Sequence, residues 1–68
     1  MQMQSVRSSV IQAIGYDVQT HRLFIQFIHN PKIYTYCRVP EAVYSSFMAA
    51  NSKGSYYDLY IKDNYNCP

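Results

Sequence analysis

No run of five like charges and no apolar stretch approaching 18 residues occurs in this 68-residue chain. The first absence excludes a polycationic or polyanionic tail. The second excludes a membrane-spanning helix, which needs about 20 consecutive apolar residues. The segment MQMQSVRSS at the amino terminus lacks the apolar centre of a secretory leader. Cysteine is scarce. Cys37 and Cys67 alone do not make the framework of a disulfide-dense secreted domain, so the chain reads as cytosolic with reduced thiols. Long linkers, repeats and low-complexity segments are also missing, and residues 1–68 read as one domain.

Catalytic and metal-binding patterns are equally thin. The carboxylates Asp17, Glu41, Asp58 and Asp63 fall in turns or on helix surfaces rather than as an acid–base pair; Asp17 reads as a turn former and Glu41 as a first-turn helix charge. His21 and His29 stand eight residues apart, and a zinc site built from them with Cys37 and Cys67 lacks closely spaced ligand pairs. A nucleophilic pair of Cys37 with either histidine has no third group to orient it. No cofactor-binding motif is visible. These absences point to a non-catalytic protein without metal or cofactor.

What the chain does have is aromatic surface, with eight tyrosines and three phenylalanines. A chain this short buries roughly 60% of its unfolded surface, and ordering it costs about 1.5 kcal/mol per residue. Each buried aromatic side chain offsets part of that by removing about 150–250 Å² from water. Self-association is a second route to stability, and a homo-oligomer is expected. Six Lys/Arg against four Asp/Glu give a net charge of +2, mildly basic and well short of a polycationic nucleic-acid binder.

The chain is organised around residues 33–44. Ile33 to Val39 alternates β-branched and aromatic side chains as a strand does. Pro40 then ends the sheet and suits the first turn of a helix. Residues 1–8 read as frayed. In Ser9–Tyr16 the apolar spacing fits neither the helical nor the strand period, which suits a strand with a bulge near Gly15. Asp17–Thr20 is a turn. Arg22–Phe27 alternates most clearly, with Leu23, Ile25 and Phe27 toward a core. His29–Lys32 is the next turn. Residues 40–50 predict a helix carrying Val43, Tyr44, Phe47 and Met48 as its apolar stripe. Asn51–Gly54 stops it, with Gly54 available for left-handed backbone. Ser55 then caps a second short helix, favoured over an added strand by the spacing of Tyr57, Ile61 and Tyr65. The predicted fold is α+β: a three-stranded antiparallel meander followed by two short helices.

Several segments stand in a recognisable order: Ser8-Ser9, Ile14-Gly15-Tyr16-Asp17, Leu23-Phe24-Ile25-Gln26-Phe27, Tyr34-Thr35-Tyr36, Val39-Pro40, Val43-Tyr44, Ser52-Lys53-Gly54-Ser55-Tyr56-Tyr57, Ile61-Lys62 and Tyr65. Together they resemble the KTSC domain, named for the C-terminal domain of some lysyl-tRNA synthetases and found also as a free-standing protein in bacteria and their phages. The resemblance spans about residues 6–65, with Tyr34 and Tyr36 as the family's central Tyr-x-Tyr. The synthetase context implies RNA binding. Two departures stand out. His29-Asn30-Pro31-Lys32 replaces a glycine-rich turn, and Ile61-Lys62 replaces Ile-Arg, losing a planar guanidinium suited to bidentate contacts.

Two placements of the Tyr-x-Tyr strand are open. Facing solvent beside Arg38, and aligned with Arg22 and Phe24 on the neighbouring strand, Tyr34 and Tyr36 would form an aromatic sheet surface for stacking bases. Facing inward, they would be core, the placement favoured here. Ser52-Lys53-Gly54-Ser55 before a helix is a candidate small-anion site. The candidate ligand-binding residues are thus Arg22, Tyr34, Tyr36, Arg38, Ser52, Lys53, Gly54 and Lys62. The leading expectation is a small module binding RNA or a nucleotide-like phosphate ligand. The alternative is a phage-type inhibitor or sequestering protein, whose tyrosine-rich surface binds a host protein or signalling molecule.

Overall fold

The alternation in Arg22–Phe27 builds the middle of the sheet. In the computed structural model, which describes residues 2–68, this strand (β3) is flanked by β2 (Ile11–Asp17) and β4 (Ile33–Tyr36). A further strand, β1 (Gln4–Ser5), pairs with β2. The sheet is antiparallel in the order β1-β2-β3-β4, so it has four strands where three were expected. Residues 4–6 are not frayed. Gln4 and Ser5 pair with Ile14 and Ala13, the Val6 N–H donates to Gln12 O, and Val6 packs on the core.

The bulge lies at Gln12 rather than at Gly15. Ile11 pairs with Phe27 and Ala13 with Gln26, leaving one extra residue on β2, while Gly15 pairs regularly with Phe24. An extra residue reverses which face the later side chains take. Ile11, Ile14 and Tyr16 therefore share one face although they stand three and two positions apart, which is why their spacing fitted no single period. Ile11 and Ile14 are fully buried. The same face carries Leu23 and Ile25 of β3 and Tyr36 of β4, and it is covered by Phe47 and Ile61.

Pro40 caps α1 (Glu41–Ala49) from extended backbone and its carbonyl accepts from Val43 and Tyr44, but no side chain caps this helix. Phe47 is fully buried, with Val43, Tyr44 and Met48 beside it. The second helix, α2 (Lys53–Tyr56), is capped by Ser52 rather than Ser55: Ser52 Oγ accepts from the Ser55 N–H. Residues 51–54 are thus a helix entry. Gly54 lies inside it and, among the described residues, no glycine has positive φ. Its lack of a side chain serves close approach instead, since a Cβ there would sit 3.2 Å from Val10 Cγ2. α2 widens into a π-helical turn, Tyr57–Ile61, closed by the Lys62 N–H on Tyr57 O. Helix rather than strand is thus the outcome for this segment, and the turn delivers Ile61 to the core.

The thiols are not free. Cys37 and Cys67 form a disulfide across 30 residues, contrary to the expected reduced state, because the C-terminal tail folds back along β4, with the Cys37 N–H donating to Tyr65 O. Disulfides persist in oxidising surroundings, so the argument for a cytosolic protein from reduced thiols falls. Among the described residues no helix is long and apolar enough to cross a membrane, and no cluster of His, Cys, Asp or Glu is suited to a metal ion.

Candidate anion-binding cleft

The register of β4 decides the role of its tyrosines. Tyr36 pairs with Leu23 and Tyr34 with Ile25, whereas Thr35 pairs with Phe24 and Ile33 with Gln26. Directly opposed residues share a face, so both tyrosines lie with the core residues, opposite to Phe24. The open aromatic surface joining Tyr34, Tyr36, Arg22 and Phe24 does not exist. Tyr36 is 8% exposed. Its hydroxyl lies 2.7 Å from that of Tyr57, and the two rings meet edge-on. Burial, then this hydrogen bond, holds the Tyr36 phenol well above its usual range. Tyr34 is half-buried, edge-on to Phe27, with its hydroxyl accepting from Asn30 Nδ2 and Lys32 Nζ 5.0 Å from its ring centre.

Ser52, Lys53 and Gly54 do meet a second segment. The link between β1 and β2, Arg7–Val10, faces them across an open cleft of about 470 Å³. Asn51, Ser55 and Asp58 complete the walls. The two sides approach closely because Gly54 stands against Val10. Arg7, Ser8 and Ser9 were not among the sequence candidates. Ser8-Ser9 was visible as a motif, but its partner segment lies more than forty residues away, and only the folded chain brings the two together.

The hydrogen bonds inside the cleft give it a polarity. Ser8 Oγ accepts from the N–H groups of Val10 and Ile11, both at 3.1 Å. Ser52 Oγ accepts from the Ser55 N–H and donates to Ser55 Oγ at 3.0 Å. A hydroxyl has one proton and two lone pairs. The acceptor capacity of Ser8 is consumed by the protein, so its remaining offer is its proton, and Ser55 likewise keeps its proton to give. Lys53 Nζ donates one proton to Ala50 O at 2.6 Å, which leaves two more. With exposed Arg7, the cleft presents donors and two cations against a single carboxylate, Asp58. Such a surface complements a ligand of acceptor oxygens and low negative charge. Among the residues lining it none is aromatic.

The other candidates lie elsewhere. Arg38 lines a smaller hollow of about 330 Å³ with Thr20, His21 and Pro40, where Arg38 and His21 both adopt left-handed backbone, φ 58° and 57°. Arg22 is exposed at the start of β3 opposite Asp17, and Lys62 is exposed after the π turn. Neither lines the cleft.

Comparison with known proteins matches the chain to one family. The family model for the KTSC domain matches residues 7–65. A protein of Tsukamurella paurometabola is 35% identical over 63 residues, which cover 93% of this chain and 92% of its own. The crystal structure of a KTSC domain protein from Yersinia pestis superposes with a TM-score of 0.91 at 43% identity, over 98% of this chain and 93% of that one. The family match over most of its length and the fold it shares with that structure give its lineage: the chain belongs to the KTSC domain family.

Proposed function

We propose that this protein is a non-catalytic module binding a phosphate-bearing ligand, an RNA backbone or a nucleotide, in the cleft between Arg7–Val10 and Asn51–Ser55. The observation that carries the reading is the donor polarity just described: Ser8 with its acceptor capacity spent and Ser55 with its proton free, beside two cations. A net charge of only +2 over the whole chain makes this a weak, local site rather than a general polyanion surface. Without an aromatic ring in the cleft, recognition falls on phosphate and sugar, and affinity is insensitive to base identity.

The test is a fluorescence titration with 5′-labelled single-stranded oligouridylate and oligoadenylate across a salt series, with adenosine monophosphate as competitor. On single strands the log–log salt slope is about −0.7 per phosphate neutralised, so two cations give roughly −1.4. Arg7→Ala is expected to weaken binding and flatten the slope, and competition by the mononucleotide separates a nucleotide site from a strand-length one. An absence of binding at low salt removes the reading. A second reading, a binder of another protein, is favoured by Leu59 and Tyr60, large apolar side chains 69% and 55% exposed on the π turn.

A further inference from the structure

β4 is the last strand of the sheet and, among the described residues, pairs as a strand with β3 alone. Backbone groups alternate sides along a strand. The Cys37 N–H, donating to Tyr65 O at 2.9 Å, shows which side is outward, and the groups of Ile33 and Thr35 share it. The C-terminal tail covers the end of this edge. Cys67 is bonded to Cys37, with Cα atoms 4.9 Å apart, and Cys67 Sγ rests 3.6 Å from Thr35 O. That sulfur is already bonded and carries no proton, so its contact with the carbonyl is not a hydrogen bond. One covalent bond and one backbone hydrogen bond hold the tail here, with half-buried Tyr65 behind them. Asn66, Cys67 and Pro68 are exposed, so a reductant can reach the bond.

Exposed sheet edges pair readily with another extended chain, and proteins cover or charge them to prevent it. On this edge Ile33 and Thr35 are exposed and β-branched, and exposed Lys32 and Arg38 stand at its two ends. No carboxylate occurs from Pro31 through Pro40. We propose that the outer edge of β4 is a strand-addition site for an extended acidic peptide, closed while the Cys37–Cys67 bond is intact and opened by its reduction. The added strand takes hydrogen bonds from Ile33, Thr35 and Cys37. Its carboxylates meet Lys32, just before the strand, and Arg38, just beyond its end.

The reductant is a dithiol. Its thiolate attacks exposed Cys67 Sγ, the bond between the two protein sulfurs breaks, and Cys37 leaves as a thiolate that takes up a proton. The second thiol of the reductant then displaces Cys67, which is also protonated, and the reductant departs as a disulfide. Two electrons and two protons pass to the protein. The tail keeps only the Cys37–Tyr65 hydrogen bond and the packing of Tyr65.

The experiment compares the full chain oxidised, reduced with dithiothreitol, and as Cys67→Ser, at about 10–15 °C, near where small domains are most stable. Amide exchange reads the tail and the core; fluorescence anisotropy reads binding of a labelled seven-residue peptide alternating glutamate and valine, beside one with lysine for glutamate. The reduced and Cys67→Ser proteins are expected to lose all protection at the Cys37 amide, while Ile14 and Ile25 stay protected to the level that the lowered stability of the whole fold allows. They should bind the glutamate peptide at least tenfold more tightly than the oxidised protein, and the lysine peptide more weakly. Four results overturn the proposal: equal peptide binding in both redox states, preference for the lysine peptide, a rise in oligomeric order on reduction, or exchange at Ile25 as fast as at Cys37. The last would make the bond a staple of the whole fold.

Discussion

Tyr36 illustrates how one side chain can be both packing and polar anchor. Its ring fills the core beside Leu23, and its hydroxyl finds Tyr57 before burial can strand it. Truncation leaves a cavity and an unpaired partner, so Tyr36→Ala should cost roughly 3–5 kcal/mol, by analogy with other large-to-small core changes. Tyr34→Ala, at a half-buried position, should cost less, and thermal melts of the two beside Arg22→Ala would rank them; equal melting of all three contradicts the core assignment. The raised phenol of Tyr36 also predicts an alkaline limit. An acid whose folded pKa is raised leaves stability whole below its unfolded value, near 10, and removes it as pH climbs from there toward the folded value. Melts from pH 8 to 11 should stay level for this group up to about 10 and then fall by up to about 1.4 kcal/mol per pH unit, and Tyr36→Phe should flatten the fall. Asp17 acts oppositely. Its carboxylate accepts from the Gln19 N–H, which lowers its pKa, so its contribution is present above the ordinary carboxylate range and disappears as pH drops through the lowered value.

At the scale of elements, two short features carry more than their length suggests. Ser52 caps α2 and belongs to the cleft. Ser52→Ala should therefore lower stability by about 1 kcal/mol and also weaken phosphate binding, by freeing Ser55 Oγ from its partner. A variant that melts lower but binds unchanged would separate the cap from the site. The tail is the second feature. Closing a loop of 30 residues restricts the unfolded chain, and on the chain-entropy account reduction costs roughly 3–4 kcal/mol. At about 4–8 °C per kcal/mol for a domain this small, the reduced protein should melt on the order of 10–30 °C lower. Calorimetry in the two redox states measures this directly.

Over the whole molecule, the two most exposed large apolar side chains sit on the π turn. Leu59 and Tyr60 lie side by side there, and Tyr60 rests on Tyr56 at 4.7 Å between ring centres. The expectation of self-association now rests on that patch. Sedimentation at micromolar concentration should show a species heavier than 8.0 kDa, and Leu59→Ser should return it to the monomer without lowering its melting temperature, since the side chain is mostly in water. A native chain that sediments as a monomer removes the idea.

What the sequence determined by itself was whatever neighbours along the chain decide. Alternation in Arg22–Phe27 placed Leu23 and Ile25 in the core, Pro40 separated sheet from helix, and the spacing of Tyr57, Ile61 and Tyr65 favoured helix over strand, although the helix ends at Ile61 and Tyr65 lies beyond it. Those outcomes depend on sterics and burial within a few residues. The tertiary structure decided the rest because each remaining feature joins distant residues. β1 gains its identity only from hydrogen bonds to β2, and the bulge at Gln12 is defined by a register that β3 imposes. The faces of Tyr34 and Tyr36 follow from pairing with Ile25 and Leu23, not from their own alternation, which is symmetric between in and out. Gly54 answers to Val10, Ser8 meets Ser52 only across the cleft, and Cys67 reaches Cys37 because the tail turns back along β4. Local spacing carries no information about which of two distant segments will touch; that is set by how the buried faces of sheet and helices close on one another.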